Sequence, residues 1–276
     1  MNRVRLTFCV IFNYLRSLRN EMEEWRFIDN HSSDEAAINL AIEEAIFSEK
    51  ILGKMPPTLR FWQSKRATVV GYSQSVEAEV NLKVCIKEGV EVARRLSGGG
   101  AVYQDLGNLN YAITIESDHY LVKGLDVPQS LRKLCLGVII TLKALGINPA
   151  FEPPGNILVN GKKVSGTAQA RRKNVILHHG TLLVNANLDL LYRVLNIKNF
   201  SDTTKGVTSK KSLVTNLAEI LDQQMSMKKI QESLQYGFEE AFAARLVKDS
   251  LSQTEKDSAK NLYVKKYSRR EWVFLH

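Results

Sequence analysis

Apolar side chains recur along this chain with two periods, and the changes between them mark out its elements. Across residues 36–47, Ala37, Ile38, Ala41, Ile42 and Ala45 fall at helical spacing, and Ser32 followed by Glu35 makes a capping-box pattern ahead of them. A first helix is predicted there. Residues 58–62 and 67–71 read as two short strands around a polar turn at 64–66, and residues 90–95, rich in β-branched side chains, read as a third. Three consecutive glycines, Gly98, Gly99 and Gly100, forbid a regular element, so a loop is predicted before strand character resumes at 101–103 and 110–115.

In the second half, Leu131, Leu134, Cys135, Val138, Ile139, Leu142 and Leu145 form one stripe that predicts a helix over 130–145, stopped by Gly146 and packed on a sheet. Residues 156–159, 163–168 and 176–185 predict a second group of strands, divided by the tight-turn pair Asn160-Gly161 and by the basic bend Arg171-Arg172-Lys173. Asn187 can cap a helix through Leu195. From Ser226, Ile230, Leu234, Phe238 and Phe242 at four-residue spacing, then a polar break and a charged stretch to Tyr267, predict a helical tail.

Composition narrows the class. A chain of 276 residues, 44% hydrophobic and 24% charged, is neither disordered, collagen-like nor a disulfide scaffold, and it can bury a sizeable core. One large domain over 25–225 is expected, with the helical segment 226–276 packed on it and an extension of unassigned role, 1–24, ahead of it. Met22 offers a second start codon. The net charge of +9 suits an anionic substrate, an acidic partner or nucleic acid without choosing among them. Cys9, Cys85 and Cys135 are too few and too scattered for disulfides or a metal site, so a cytoplasmic location is expected. The apolar stretch 6–15 falls short of the ~18 residues of a membrane span and has no cleavage site behind it, so neither a span nor a signal is predicted.

Candidate chemistry concentrates in three stretches. In RRLSGGGAVY, from Arg94 to Tyr103, glycines let the backbone approach a ligand and turn several N–H groups to one point, as a phosphate requires, and Arg95 can add a charge-assisted pair. Taken alone, a triple glycine with two arginines is more often a surface turn, and the loop is neither a P-loop nor a dinucleotide fingerprint. In GKKVSGTAQ, residues 161–169, a lysine enters a strand of small residues. Its ammonium, ~4 Å from a phosphate or carboxylate, contributes about 4 kcal/mol at a surface-like dielectric, which suits charge developing at a reacting phosphorus. A single lysine is more often a solvated one, and only its combination with the first loop singles out Lys163. In HHGTLLVN, residues 178–185, the paired His178 and His179 suggest metal. Adjacent strand residues face opposite ways, however, and no third ligand lies nearby, so a structural role is expected and no metal site is assigned to protein side chains.

In this order and separation, RRLSGGGAVYQDLGNLN, GKKVSGTAQ and HHGTLLVN resemble the lipoate–protein ligase family. Asn39-Leu40-Ala41 with Glu43-Glu44, Val70-Gly71-Tyr72-Ser73-Gln74, Thr215-Asn216-Leu217, and Lys266-Tyr267 before Trp272 extend the resemblance to about residues 25–276. It implies an α/β fold with a mixed sheet, shared with biotin–protein ligases and related to class II aminoacyl-tRNA synthetases, with a helical C-terminal segment. It implies ATP-dependent activation of lipoate to lipoyl-AMP, then transfer of the lipoyl group to a lysine of lipoyl domains, such as those of 2-oxoacid dehydrogenase complexes or the glycine cleavage H protein. ATP, with Mg²⁺, would be the cofactor and lipoate the substrate. By motif, Arg95, Gly100, Ala101, Val102, Tyr103, Lys163 and Thr167 would contact ATP, and Lys163 would be catalytic, bridging the lipoyl carbonyl and the α-phosphate. Val70, Gly71, Ser97 and Lys163 would hold lipoate, its tail in an apolar tunnel near the first helix that shelters the mixed anhydride from water.

Two features depart from the family pattern. Gln104 stands where many relatives have histidine, and the chain ends at His276 without the small C-terminal domain of two-domain ligases, so a separate accessory subunit is expected in its place. The nearest rival is an octanoyl or lipoyl transferase of the same fold, working through a cysteine thioester without ATP. No cysteine follows Cys135, which lies on an apolar helix stripe, and Pro153-Pro154-Gly155-Asn156 occupies one of the two places expected for the nucleophile. A basic nucleic-acid-binding module is the reading from another class, but no RNA-binding motif or aromatic stacking cluster accompanies the arginines, and neither nucleic acid nor a membrane is expected as a partner.

Overall fold

Two sheets carry the fold. The computed structural model describes residues 22–53, 55–196, 212–221 and 225–276, the side chains of 30–34 excepted. The chain opens with strand β1 (Glu23–Asp34), helix α1 (Ala36–Ile51), β2 (Thr58–Ser64) and β3 (Ala67–Val70), then two short helices, α2 (Val76–Glu79) and α3 (Leu82–Glu88). Strands β4 (Glu91–Arg94), β5 (Val102–Gln104) and β6 (Asn108–Glu116) lead into helices α4 (Val127–Leu134) and α5 (Leu136–Ala144). Strands β7 (Ala150–Glu152), β8 (Asn156–Val159), β9 (Lys162–Arg172) and β10 (Val175–Leu183) follow, then α6 (Leu188–Val194), α7 (Leu217–Ile220) and α8 (Met227–Phe242). The chain closes with β11 (Ala244–Lys248), α9 (Gln253–Leu262), a π-helical turn (Tyr263–Tyr267) and α10 (Arg270–Val273). The larger sheet has the order β11-β1-β2-β6-β10-β9-β8-β7 and the smaller β4-β3-β5. Parallel pairing of β1 with β2 and β11, beside antiparallel pairing elsewhere in the larger sheet, makes it mixed, as the family resemblance implies.

Alternation along β6 gives that sheet two apolar faces. Leu109, Tyr111, Ile113 and Ile115 enter the main core with Leu134, Val138, Leu142, Leu234 and Phe238 of α4, α5 and α8, whereas Ala112 packs with Leu177 and with Phe47 of α1. Helices α5 and α8 meet through glycines: a Cβ on Gly137 would lie 2.1 Å from the Phe238 ring, and one on Gly237 would lie 2.1 Å from Thr141 Oγ1.

Local signals hold at several places. Ser226 and Asn187 cap α8 and α6 by accepting from Lys229 N and Leu190 N. The Asn160-Gly161 turn has both residues at positive φ, 49° and 74°, the geometry a two-residue hairpin needs. Three expectations are corrected. Ser32 lies within β1 and Glu35 makes no side-chain cap, because the Glu91 carboxylate of β4 accepts from the first amides of α1, Ala36 N at 2.7 Å and Ala37 N at 2.9 Å. The helix expected over 130–145 is two helices divided at Cys135, and the first begins earlier, behind a capping box of Asp126 and Gln129 with Pro128 in its first turn. The C-terminal tail is not wholly helical: Ala244–Lys248 pairs in parallel with β1 as the edge of the large sheet. Residues 1–21 of the extension, with its apolar stretch and Cys9, lie outside the described residues, whereas Glu23 and Glu24 belong to β1 and pair with β11. Among the described residues, no helix is long and apolar enough to cross a membrane.

Candidate active site

A cleft of about 700 Å³ opens where the two sheets and α1 meet. Its lining comes from Leu40 and Glu43 of α1, Val69 of β3, Gly99 to Val102 and Gln104 around β5, the Pro153-Pro154-Gly155 turn, Lys163, Thr167 and Ala168 of β9, and His179 to Thr181 of β10.

The triple-glycine loop forms one rim and is braced from within. Arg95 donates from Nη2 to the Gly98 carbonyl at 2.7 Å and to Gly100 O at 2.8 Å, and from Nη1 to Val69 O at 3.1 Å. Burial lowers its guanidinium pKa to about 10, partly offset by Glu43. The loop also needs glycine on its opposite side: a Cβ on Gly71 would stand 2.1 Å from Gly99 O, so the chain after β3 can touch the loop only without a side chain. Arg94 is wholly buried and binds other carbonyls, Gly71 and Tyr72 at 2.8 Å and Gln74 at 2.7 Å.

Across the cleft, Lys163 is placed by an irregularity. Pairing of β8 with β9 matches Ile157 to Ser165 and Leu158 to Lys163, so Val164 has no partner, a bulge that re-aims the neighbouring side chains. Gly166 gives the lysine room, because a Cβ there would lie 2.4 Å from its Nζ. On its other side the backbone is held by residues 213–215, Lys163 N donating to Leu213 O at 2.7 Å and Thr215 N to Lys163 O at 3.0 Å. Asn216 anchors that segment through both Ala186 N and Ala186 O, at 2.9 Å each. Among the described residues Lys163 Nζ has no ion-pair partner. Desolvation, reinforced by Arg95, lowers its pKa to about 8, with Glu152 opposing the shift. An ammonium with spare donors facing a glycine-rich loop is suited to an anion bound between them.

A third group was not anticipated as a site. His179 lines the cleft, its Nδ1 2.7 Å from Glu43 Oε2 and its Nε2 2.6 Å from Ser97 Oγ. Arg95 Nε donates to Ser97 Oγ at 3.1 Å, so the imidazole is held between the Glu43 carboxylate and a hydroxyl that Arg95 itself fixes. Trp62 Nε1 holds the other carboxylate oxygen at 2.8 Å. Strand alternation was the available signal: of the two histidines, only one can face α1, and Glu43 is on that helix. His178 takes the opposite face, fully buried, and desolvation lowers its pKa to about 3.

The lipoyl protein ligase A/B catalytic domain profile matches residues 35–239, which span every element lining this cleft. The chain belongs to that family. Relatives of this lipoyl ligase-type domain include octanoyltransferase LipM of Carboxydothermus hydrogenoformans, 34% identical over 92% of this chain and 99% of that protein. Lipoate-protein ligase A subunit 1 of Thermoplasma acidophilum is 33% identical over 85% of this chain and 90% of its own length, and lipoate-protein ligase LplJ of Bacillus subtilis 32% identical over 90% and 73%. Solved structures agree. The bi-partite lipoate protein ligase of T. acidophilum superposes with a TM-score of 0.79 at 30% identity, covering 91% of this chain and 96% of that one. A lipoate-protein ligase A bound with ATP gives 0.79 at 31%, over 91% and 98%.

In the lipoyl ligase-type domain described here, Gly100, Ala101, Val102, Lys163 and Thr167 line the cleft and Arg95 supports its rim. Tyr103 points away, donating to Asp105 Oδ2 at 3.0 Å and packing in a separate apolar cluster with Val70. Alternation along β3 accordingly puts Val69, rather than Val70, on the cleft wall. Gly71 lies behind the loop, and Ser97 is buried between Arg95 and His179. Gln104 does line the cleft.

Proposed function

We propose that this protein is an ATP-dependent lipoate–protein ligase that activates lipoate as lipoyl-AMP and passes the acyl group to a lysine of a lipoyl domain. The observation that carries this reading is Lys163, an ammonium without an ion-pair partner among the described residues, set in the cleft opposite the glycine loop. It would neutralise charge shared by the acid's carboxylate and the α-phosphate as the anhydride forms. Amides at Gly99 and Gly100 would serve the phosphates, and Leu40, Val69 and Val102 offer apolar wall for the acyl chain. His179, tethered to Glu43, would orient the acid's polar end. Mg²⁺ would arrive with the nucleotide, held chiefly by its phosphates. A cytoplasmic location and a separate accessory chain belong to the same proposal, the latter supported by the likeness to a subunit 1 from T. acidophilum.

The deciding experiment is lipoate-dependent ATP–pyrophosphate exchange, with mass spectrometry of a lipoyl domain incubated with this protein, ATP, Mg²⁺ and lipoate, with and without candidate partner proteins. A mass gain on the lipoyl domain that requires ATP supports the ligase.

A second reading, octanoyl transfer through a thioester, is favoured by the likeness to LipM and by Cys135, whose Sγ lies 3.7 Å from Oγ1 of Thr167 at the cleft. Against it, both described cysteines are buried, and desolvation raises the Cys135 thiol to about 11, far from a reactive thiolate. An octanoyl adduct trapped on Cys135, with no ATP requirement for acyl transfer, would decide for the transferase.

A further inference from the structure

Residues 240–276 lie beyond the match to the catalytic-domain family, yet their end reaches back to the glycine loop. The contact is reciprocal: Arg94 Nε donates to the carbonyls of Trp272 at 3.0 Å and Val273 at 2.9 Å, and Trp272 Nε1 donates to Arg94 O at 2.9 Å. Arg94 is the last residue of β4 and immediately precedes Arg95, which holds the loop carbonyls. Its Nη1 donates to the carbonyls of Gly71 and Gln74, and Gly71 is the residue against which Gly99 O packs. The same segment also grips α1. Lys266 Nζ and Tyr267 Oη each lie 2.6 Å from Glu44 Oε2, and Lys266 Nζ sits 4.0 Å from the centre of the Trp272 ring. Glu44 follows Glu43, the carboxylate bound to His179.

We propose that residues 266–273 form a clamp that fixes the triple-glycine loop relative to α1, with Trp272 as a positioning residue for the ligand bound by that loop. Trp272 is bonded to the strand that enters the loop, and Lys266 and Tyr267 to the helix that carries the Glu43–His179 pair. Loosening the segment therefore lets the loop move relative to α1. The consequence for ATP rests on the reading of the loop as its phosphate site, whereas the mechanical part does not.

The test is hydrogen–deuterium exchange on the unliganded full chain, combined with steady-state kinetics, for Trp272→Phe and Trp272→Ala. Phenylalanine keeps a ring beneath Lys266 but lacks the N–H. Exchange at residues 96–101 is expected to rise about tenfold in Trp272→Phe and further in Trp272→Ala, with β6 and β10 unchanged. The KM for ATP is expected to rise about tenfold in Trp272→Phe while the kcat of pyrophosphate exchange falls less than about threefold. Unchanged loop exchange in Trp272→Phe overturns the clamp, and faster loop exchange with an unaltered KM for ATP overturns the positioning role. Absence of measurable ATP binding by the wild-type chain in calorimetry would refute the ATP reading alone, leaving the clamp to stand or fall on loop exchange.

Discussion

Lys163 shows how one residue can be costly to the fold and necessary to the site. Its amine is desolvated without an ion-pair partner among the described residues, so a methionine of similar length removes a burial penalty along with the charge. Lys163→Met should keep or raise the melting temperature, yet lower lipoate-dependent pyrophosphate exchange by about 100-fold or more. Near-normal exchange in the folded variant would remove Lys163 from the chemistry. The lowered pKa also sets a pH signature. Below about pH 8 the amine is charged in both folded and unfolded chains; between there and 10.5 only the unfolded chain retains the proton, so this group's contribution to stability rises with pH. Activity should run the other way, falling above about pH 8 as the ammonium is lost. Cysteine is the complementary case. Replacing Cys9, Cys85 and Cys135 together by alanine or serine should leave ligase specific activity largely intact, apart from a packing cost at Cys135, and mass spectrometry should find no acyl-cysteine.

At the scale of elements, glycines decide where pieces of structure can meet. The α5–α8 crossing admits no side chain at Gly137, because the Phe238 ring there is fixed in the main core. Gly137→Val is expected to destabilise by about 1–3 kcal/mol or more in urea unfolding, with specific activity of the folded fraction preserved, since that face is turned away from the cleft. Gly71→Ala should cost both. Its Cβ would stand 2.1 Å from the Gly99 carbonyl, backbone against side chain, so the loop must shift: the urea midpoint should fall, and the specific activity of the folded fraction should drop by about tenfold or more. Normal kinetics of the folded fraction in Gly71→Ala would show that loop and strand end are not mechanically joined.

For the whole molecule, the interior sets the acid limit. His178 is fully buried and stays neutral down to about pH 3, whereas in the unfolded chain it takes up a proton near 6.5. A folded pKa below the unfolded one means that the unfolded state binds more protons across that interval, so stability falls with decreasing pH by up to ~1.4 kcal/mol per unit from this group. His178→Gln should flatten the decline of the urea midpoint between about pH 6 and 4. At the same scale, preformed lipoyl-AMP supplied to the isolated chain should be transferred to a lipoyl domain even if activation needs an accessory protein. Full ATP-dependent lipoylation by the chain alone would dispense with that partner.

Local pattern sufficed for the start of α1, the strands around the glycine loop, the Asn160-Gly161 turn and the Asn187 cap of α6. The three motifs likewise identified both rims of the cleft and its lysine, because glycine runs and a lysine among small residues carry backbone and charge requirements that can be read one segment at a time. Contacts over long separations had no such signature. Glu91 serving the amides of α1, the C-terminal strand joining β1, and the pairing of Glu43 with His179 across 136 positions depend on which segments become neighbours. The faces of β3 and β5 also awaited the fold: alternation shows that Val69 and Val70 point oppositely, but only the packing of the small sheet against α1 decides which of them meets the cleft.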